Sequence, residues 1–314
     1  MLKVKIGTRG SALAMAQAQT VKGLLEKAHA GLTCELVVIK TTGDDFSAGE
    51  KSVPGTGTAA LKGLFVKEIE EALLDGRIDL AVHSVKDMES DLPQGLALAA
   101  VIRREDPRDA LVSRQGQPLK ELPAGARVGA SSLRRQAQLK RLRRDLEFVP
   151  IRGNVDTRLK KLGAGEYDAI VLAACGLNRL ALSGRITEYL PLDQVLPAPG
   201  QGALGIEIRA DRKEMEDLVR AVDDEPSRQA VEAERAFLRA LGGSCRVPVG
   251  ALGVVQEEAL RLAGVVLSPD GLKSVRKELS GPRKDPQRLG AELASHLRAV
   301  GADRLLYGAW DKVG

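Results

Sequence analysis

Two patterns of apolar and polar residues follow one another along most of this chain. Short and nearly continuous apolar runs, such as residues 78–82, are typical of strands buried in a parallel sheet. Most are followed by segments with apolar residues three and four positions apart, which predicts helices. This alternation predicts an α/β fold. Strands are predicted at residues 4–7, 35–41, 78–82, 96–102, 110–113, 127–130, 148–151, 168–173 and 204–208.

The succession of strands and helices is interrupted by two crossings. Residues 103–108 are polar, and residues 196–203 are stiffened by two prolines. Two crossings predict that a first domain is interrupted by a second and then resumed, as in two-lobed proteins that close about a hinge. A helix at 227–241, three strands joined in part by a turn at 268–271, and a helix at 286–300 predict a small α+β unit. We therefore predict domain 1 at residues 1–102 and 198–220, domain 2 at 103–197 and domain 3 at 221–314.

The stretch from Val128 to Arg158 contains two strand-to-helix turns with arginines at or near both helix starts. Ser131 or Ser132 can cap the first helix, and Asn154 the second. Helix starts attract anions, and the planar guanidinium group grips carboxylates with paired hydrogen bonds. The stretch therefore predicts an anion-binding surface. A solvated basic face and a nucleic-acid surface are the alternatives.

Asp87 follows the predicted strand 78–82 in the segment His83-Ser-Val-Lys-Asp87. In open α/β sheets, ligands bind at the carboxyl ends of the strands, so this position favours a chemical role for the carboxylate. The alternatives are a helix cap or a salt bridge to Lys86. His83 has no evident partner in the sequence and is expected to be structural. Residues 43–60 have no periodicity and predict a long loop.

Composition narrows the choice of ligand. A net charge of +5 suits an acidic ligand and gives little support to a nucleic-acid binder, and 3% aromatic residues leave little for base stacking. We see neither a signal-peptide core nor an apolar run of membrane-spanning length, so we expect a cytoplasmic protein. Cys34, Cys175 and Cys245 are too widely spaced to suggest a disulfide framework or a zinc cluster. Cys245 lies in a glycine-rich loop, where it is either inert or a covalent anchor.

Together these segments resemble the porphobilinogen deaminase family, whose members are also called hydroxymethylbilane synthases. The matching segments follow the order of the family from the first strand to the third domain. They are Gly7-Thr-Arg-Gly-Ser-Ala-Leu-Ala14, Lys62-Gly-Leu-Phe-Val-Lys-Glu68, Ala81-Val-His-Ser-Val-Lys-Asp87, Arg104-Glu-Asp-Pro-Arg-Asp-Ala110, Gly129-Ala-Ser-Ser-Leu-Arg-Arg-Gln136, Arg152-Gly-Asn-Val-Asp-Thr-Arg158, Leu196-Pro-Ala-Pro-Gly-Gln-Gly-Ala203 and Gly243-Ser-Cys-Arg-Val-Pro-Val249.

The resemblance implies two α/β lobes like those of periplasmic binding proteins, joined by a hinge, and a small C-terminal α+β domain. It implies a dipyrromethane cofactor held covalently by a thioether to Cys245. Asp87 matches the catalytic carboxylate, which assists the loss of ammonia from porphobilinogen and stabilises the resulting cation. Four head-to-tail condensations on this primer, followed by hydrolysis, release hydroxymethylbilane for tetrapyrrole biosynthesis, the route to haem, chlorophyll and cobalamin.

The resemblance also implies which residues contact the carboxylates of cofactor and substrate. The expected partners are porphobilinogen alone, with no nucleic acid and no membrane, and the expected state is a monomer. Besides Cys245, the cofactor-binding residues implied are Ser84, Lys86, Ser132, Arg134, Arg135 and Arg158. The substrate-binding residues implied are Arg9, Ser11, Lys62, Arg152 and Arg179. No metal site is implied.

Three departures from the family pattern bear on the loops. Thr58-Ala-Ala-Leu precedes Lys62 where the family has a lysine and two glycines, Met88-Glu-Ser follows Asp87, and Gly-Gly-Ser-Cys245 replaces Gly-Gly-Cys. None changes Asp87, Cys245 or the main arginines. The rival hypothesis is a solute-binding protein that closes on a small polycarboxylate without reacting. The expected third domain bearing Cys245 and the absence of a signal-peptide pattern argue against it.

Overall fold

The computed structural model describes residues 2–41, 66–242 and 248–307. The predicted loop at 43–60, Lys62 and Cys245 therefore lie outside the described residues. The strands are β1 (Leu2–Thr8), β2 (Leu32–Val38), β3 (Leu80–Ser84), β4 (Leu96–Val101), β5 (Asp109–Ser113), β6 (Arg127–Gly129), β7 (Glu147–Val149), β8 (Ala169–Ala173), β9 (Glu188–Tyr189), β10 (Leu204–Arg209), β11 (Val249–Gln256), β12 (Ala259–Leu267) and β13 (Ser274–Pro282). The α-helices are α1 (Ala12–Ala28), α2 (Lys67–Leu74), α3 (Leu133–Leu142), α4 (Val155–Gly163), α5 (Ala174–Arg179), α6 (Lys213–Arg220), α7 (Glu225–Ala240), α8 (Pro286–Ala299) and α9 (Ala302–Tyr307).

The chain divides into two compact units, of which the first combines Met1–Glu105 with Gly202–Arg228. Its sheet has the order β2-β1-β3-β10-β4, in which β1 is parallel to β2 and β3, and β10 is antiparallel to β3 and β4. One face packs against α1 and α6 through the side chains of alternate strand residues, among them Ile6, Val82 and Ile206. The opposite face packs against α2, where Ile69 and Leu73 are fully buried.

The second unit, which combines Asp106–Gln201 with Gln229–Gly314, contains a sheet of the same design. Its order is β7-β6-β8-β5-β9, with β6 parallel to β7 and β8, and β5 antiparallel to β8. In each sheet the antiparallel strand is the one that comes directly after a crossing of the chain: β10 in the first and β5 in the second. The prediction of an α/β protein with two sheet-containing lobes is confirmed.

The C-terminal part of the second unit is an antiparallel sheet in the order β11-β12-β13, packed against α7, α8 and α9. Phe237 of α7 is fully buried. A Cβ at Gly264 of β12 would lie 2.7 Å from Cζ of Phe237, so the helix can approach this strand only where a side chain is absent. Gly271 has a φ of +74° in the turn between β12 and β13, as the predicted hairpin requires. The small α+β part is thus confirmed.

Most predicted strands lie within a few residues of those observed, and three elements were not predicted. Helix α6 buries Met215, Leu218 and Val219 among many charged residues, and β9 has only two residues. Helix α9 follows Gly301, which separates it from α8. None of the described helices is long and apolar enough to cross a membrane. The division into three domains stays a prediction, because the two compact units do not test its boundaries.

Candidate functional site

Asp87 lies at the carboxyl end of β3, in a 3-10 turn formed by Val85–Asp87. The turn is fixed to the sheet because the Val85 N–H donates to the Ala203 carbonyl at 3.1 Å and both Val85 and Met88 are buried. The Asp87 side chain between them is half-buried. Among the residues that the structure describes, none hydrogen-bonds or ion-pairs with its carboxylate, so neither the cap nor the Lys86 salt bridge is observed. Asp87 thus presents an acceptor that is available to a ligand.

The loop after β1 lies at the same edge of the sheet. Strands β1 and β3 are parallel, with Gly7 opposite Ala81, so Arg9 and Ser11 leave the sheet beside Ser84 and Lys86. The Ser11 hydroxyl accepts a hydrogen bond from the Ala14 N–H at 3.3 Å and caps α1. The first unit therefore gathers a subset of the predicted site residues at one edge: Arg9, Ser11, Ser84, Lys86 and Asp87.

In the second unit, a serine joins the two strand-to-helix loops predicted to bind anions. The Ser131 hydroxyl donates to the Ile151 carbonyl at 2.6 Å and accepts from the Ile151 N–H at 2.9 Å. Ser132 occupies the N-cap position of α3 without a capping hydrogen bond from its side chain. Its half-buried hydroxyl therefore does not serve the helix, which leaves room for the predicted role in cofactor binding.

The second loop is shaped by Asn154, which caps α4 as predicted. Its Oδ1 accepts from both the N–H and the hydroxyl of Thr157, each at 2.9 Å. Gly153 has a φ of +107°, and a Cβ there would lie 2.6 Å from the Thr157 side chain. Arg152 is exposed, whereas Arg158 is half-buried and donates from Nε to the Gly153 carbonyl at 2.8 Å.

Arg134 and Arg135 are buried rather than displayed on the surface, at 5% and 8% exposure. Both bind Asp109, which is fully buried: Arg134 Nη1 donates to Oδ2 at 2.7 Å, and Arg135 Nη2 and Nε donate to Oδ1 at 2.8 and 3.0 Å. Arg134 also donates to the Leu196 carbonyl at 2.6 Å, and Gln201 Nε2 donates to Asp109 Oδ1 at 3.0 Å. The arginines therefore connect the start of β5 to the crossing at residues 196–203.

The charges of this cluster, Asp109 with Arg134 and Arg135, do not balance. Burial raises the pKa of Asp109, but the two guanidinium charges outweigh burial and hold it far below its ordinary value. Two buried cations therefore face one carboxylate. The Arg134 Nε–H has no acceptor among the described residues. The cluster retains a positive charge and an unused donor, which suits an anionic ligand.

The sequence did not predict Asp109 or Gln201 as members of this cluster. Both lie inside segments that matched the family, but a side chain's partner depends on tertiary structure. A polar residue at the start of an otherwise apolar strand was the available signal. The remaining predicted residues are Arg179, which ends α5 and is half-buried, and Lys62 and Cys245, which lie outside the described residues. In all, the second unit contains Ser132, Arg134, Arg135, Arg152, Arg158 and Arg179.

Two family models match the chain. The first, described as porphobilinogen deaminase, dipyromethane cofactor binding domain, matches residues 4–217. The second, described as porphobilinogen deaminase, C-terminal domain, matches residues 228–299. Full-length relatives carry the same name. The porphobilinogen deaminase of Geobacter metallireducens is 49% identical over 97% of this chain and 94% of its own length. That of Roseiflexus sp. is 51% identical over 96% of this chain and 98% of its own.

Solved structures of ligand-binding proteins are similar to part of the chain. A nutrient binding protein from Burkholderia cenocepacia bound to methionine has a TM-score of 0.43 and 16% identity, covering 75% of this chain and 95% of that one. The periplasmic aliphatic sulphonate binding protein from Escherichia coli has a TM-score of 0.42 and 15% identity, covering 76% of this chain and 70% of that one.

The fold and the family models define the class of protein: an α/β enzyme with a domain that binds a dipyrromethane cofactor. The relatives then define the family, because about half of all positions are identical over nearly the whole chain. The chain belongs to the porphobilinogen deaminase family, which comprises transferases of tetrapyrrole biosynthesis.

Proposed function

We propose that this chain condenses four molecules of porphobilinogen head to tail onto a covalently bound dipyrromethane primer, with loss of ammonia, and releases hydroxymethylbilane by hydrolysis. Membership of the family is the observation that carries this proposal. The half-buried Asp87 carboxylate, at a sheet edge with Arg9, Ser11 and Lys86, supports it. The competing hypothesis of a binding protein without chemistry does not account for the two family models, both of which are described as domains of porphobilinogen deaminase.

The described residues fit the cofactor, since its acetate and propionate groups are anions. The cluster around Asp109 has one cation in excess, and the Arg134 Nε–H lacks an acceptor among the described residues. When bound, the cofactor supplies a pyrrole carbon to which the growing chain is attached. Cys245 would hold it covalently, and its carboxylates would bind to Ser84, Lys86, Ser132, Arg134, Arg135 and Arg158.

Asp87 would act on the incoming porphobilinogen. Its carboxyl group can donate a proton to the departing amino group, which leaves as ammonia, and the carboxylate that remains can then stabilise the positive charge on the substrate. A half-buried carboxylate without a partner among the described residues is suited to this role, because partial burial strengthens its interaction with a developing cation. The arginines would offset the two carboxylates that each substrate brings. Arg9, Ser11, Lys62, Arg152 and Arg179 would contact the substrate.

Replacement of Asp87 tests the proposal most directly. We expect the parent protein to carry the mass of two linked pyrroles and to convert porphobilinogen. Asp87→Asn keeps the shape of the side chain, and we expect it to fold but to lose kcat by about 10²–10⁴-fold, since it can no longer transfer a proton or carry the charge. Asp75→Asn, an exposed residue of the same unit, is the control and should retain the parent rate. An unmodified parent without turnover, or a normal kcat for Asp87→Asn, would overturn the assignment.

We also propose that the chain works as a cytoplasmic monomer with porphobilinogen as its only partner. The small substrate and the modest net charge of +5 support this form, since neither requires a nucleic acid or a second chain. Light scattering of the purified protein should give the 33.5 kDa of one chain. A stable dimer at micromolar concentration would contradict the proposal.

A further inference from the structure

Two ionisable side chains, His83 and Glu207, meet beneath the turn that presents Asp87, and a third, Glu70, is near enough to interact electrostatically with both. His83 is the fourth residue of β3, and Glu207 lies on the neighbouring strand β10. Gly205 is opposite His83 and Glu207 is opposite Ala81, so both side chains point to the face that α2 covers. Glu70 comes from α2 and feels the charges of the other two. We call Glu70, His83 and Glu207 the acid–imidazole cluster.

The contact between His83 and Glu207 is close and buried. Their side chains are 5% and 0% exposed, and His83 Nε2 lies 2.9 Å from Glu207 Oε2. The atoms are near enough for an ion pair, but they are not aligned for a hydrogen bond, and no aligned donor reaches either Glu207 oxygen within the described part of the chain. A buried carboxylate is stable only when a cation or a proton compensates it, so Glu207 depends on its two neighbours.

Glu70 is the group able to hold a compensating proton. Burial, followed by the charge of Glu207, raises the pKa of Glu70 to about 7, while His83 acts in the opposite direction. Glu89 beyond the turn raises this pKa further. With a proton on Glu70, the cluster contains one carboxylate facing one imidazole. A proton on Glu70 near neutral pH thus removes one negative charge from this face of the sheet.

Other charged groups on this face are farther out or already paired. On β10, Arg209 pairs with Asp211 at 2.5 Å and reaches the Leu74 carbonyl at the end of α2. Strand alternation also brings Lys3, Lys5 and Glu35 to this face, where all three are exposed and Lys3 pairs with Glu35 at 2.8 Å. On α2, Lys67 and Glu71 are exposed and Glu68 is half-buried. The acid–imidazole cluster is therefore the buried part of this charge distribution.

The cluster is directly connected to the catalytic turn. His83 immediately precedes Ser84, and the Val85 N–H is bound to the backbone of the segment that continues into β10. The position of β3 relative to β10 thus determines where Asp87 stands. We propose that His83 and Glu207 position Asp87 for catalysis by locking the end of β3 to β10. This inference rests on the proposed function.

The test compares His83→Ala with His83→Gln, whose amide N–H can approach the place of Nε2. For His83→Ala we expect kcat per cofactor-bearing molecule to fall by about tenfold to a hundredfold, since a misplacement of about 1 Å costs on the order of 10²-fold. KM should stay nearly unchanged, because the carboxylate-binding arginines are untouched. His83→Gln should recover most of kcat. His29→Gln is the matched control: His29 Nε2 lies 2.8 Å from the Leu218 carbonyl in the same unit, so it should lower Tm and leave kcat unaltered.

Glu207→Gln keeps the volume of the side chain and supplies a second readout if His83→Ala does not fold. It should lower kcat at constant KM. It should also lower the pH at which Glu70 loses its proton, because the negative charge of Glu207 is gone. The pH dependence of Tm measures this change. A parent kcat in both His83→Ala and Glu207→Gln, or a loss in His83→Ala that His83→Gln does not recover, would overturn the inference. Absence of turnover in the parent itself would instead refute the proposed function.

Discussion

Each compact unit has a group of ionisable side chains near its predicted ligand-binding loops; acidic groups outnumber basic ones in the first unit, and basic groups outnumber acidic ones in the second. The acid–imidazole cluster of the first unit has two carboxyl groups for one imidazole. The Asp109 cluster of the second has two guanidinium groups for one carboxylate. In the latter, donors approach both oxygens of Asp109 within 3.0 Å. Neither oxygen of Glu207 has an aligned donor among the described residues.

The Asp109 cluster therefore keeps its charge near neutral pH, whereas the acid–imidazole cluster can gain or lose a proton. Asp109 is held in its ionised form by fixed donors, and arginine does not lose its proton near neutral pH, so the second cluster keeps its charge. In the first cluster a proton can move on and off Glu70 close to neutrality. Permanent positive charge suits the carboxylate binding proposed for the second unit, whereas an excess of acidic groups suits the first unit, where a cation is proposed to develop beside Asp87.

The largest expected effect is on the second unit. Asp109→Ala leaves Arg134 and Arg135 buried without their carboxylate, which should cost about 3–5 kcal/mol of unfolding free energy. Urea denaturation measures this. Asp145→Ala, which removes the partner of Arg143 in a partly exposed ion pair, is the control and should cost less than about 1 kcal/mol. Equal losses of unfolding free energy in both variants would show that the Asp109 cluster contributes no more to stability than a surface ion pair does.

The pH dependence sharpens this prediction. The pKa of Asp109 is lowered on balance, because the arginine charges outweigh the effect of burial. The stability contributed by its ionised form is therefore present above the unfolded pKa of about 3.9 and is lost as the pH falls through the folded value. The difference in urea midpoint between the parent and Asp109→Asn should be constant from about pH 5 to 8 and shrink below about pH 4.

Glu70→Gln should show the opposite dependence. Burial first, and then Glu207, raise the folded pKa of Glu70 from 4.5 to about 7, so its contribution is fully present below 4.5 and is lost as the pH rises through 7. Allowing for partial exposure, the parent should lose about 1–2 kcal/mol relative to Glu70→Gln between pH 5 and pH 8. The exposed neighbour Glu71 provides the control, and Glu71→Gln should follow the parent. Parallel curves for the parent and Glu70→Gln would mean that the cluster does not titrate.

The smallest effect concerns the loops beside the Asp109 cluster. Ser131→Ala removes both hydrogen bonds to Ile151 and should cost about 1–2 kcal/mol, whereas Ser132→Ala removes no cap and should change the free energy of unfolding by less than about 0.5 kcal/mol. Ser132→Ala should lower activity more than Ser131→Ala does, since Ser132 is the proposed cofactor contact. A destabilised Ser132→Ala with normal turnover would reverse these assignments.

The sequence alone was enough to predict the strand and the helix cap that shape the candidate site. Strand β3 could be predicted because Ile78–Val82 is apolar throughout, and its end placed Asp87 at the edge where ligands bind. Asn154 could be predicted as a cap because capping depends on a neighbour three residues away. Both features are local, so the order of residues along the chain determines them.

The two buried charge clusters could not be predicted from neighbouring residues in the sequence. Arg134 and Arg135 follow a helix start and were expected to face a ligand, but their partner Asp109 is about 25 residues earlier in the chain. His83 was expected to be structural, which its burial supports, yet its partner Glu207 is more distant still. A glutamate within the apolar segment Leu204-Gly-Ile-Glu-Ile was a signal in the sequence that something must compensate its charge. The identity of that partner required the fold.

The position of β10 has a consequence for synthesis. When residue 105 has left the ribosome, the first sheet has four of its five strands, and the place between β3 and β4 is still vacant. Residues 204–209 fill it only after all the strands of the second sheet, β5 to β9, have already been made. The lobe that is translated first is therefore the later of the two to close its sheet, so a nascent chain can finish the arginine-bearing sheet before the strand beneath Asp87 gains the neighbour that carries Glu207.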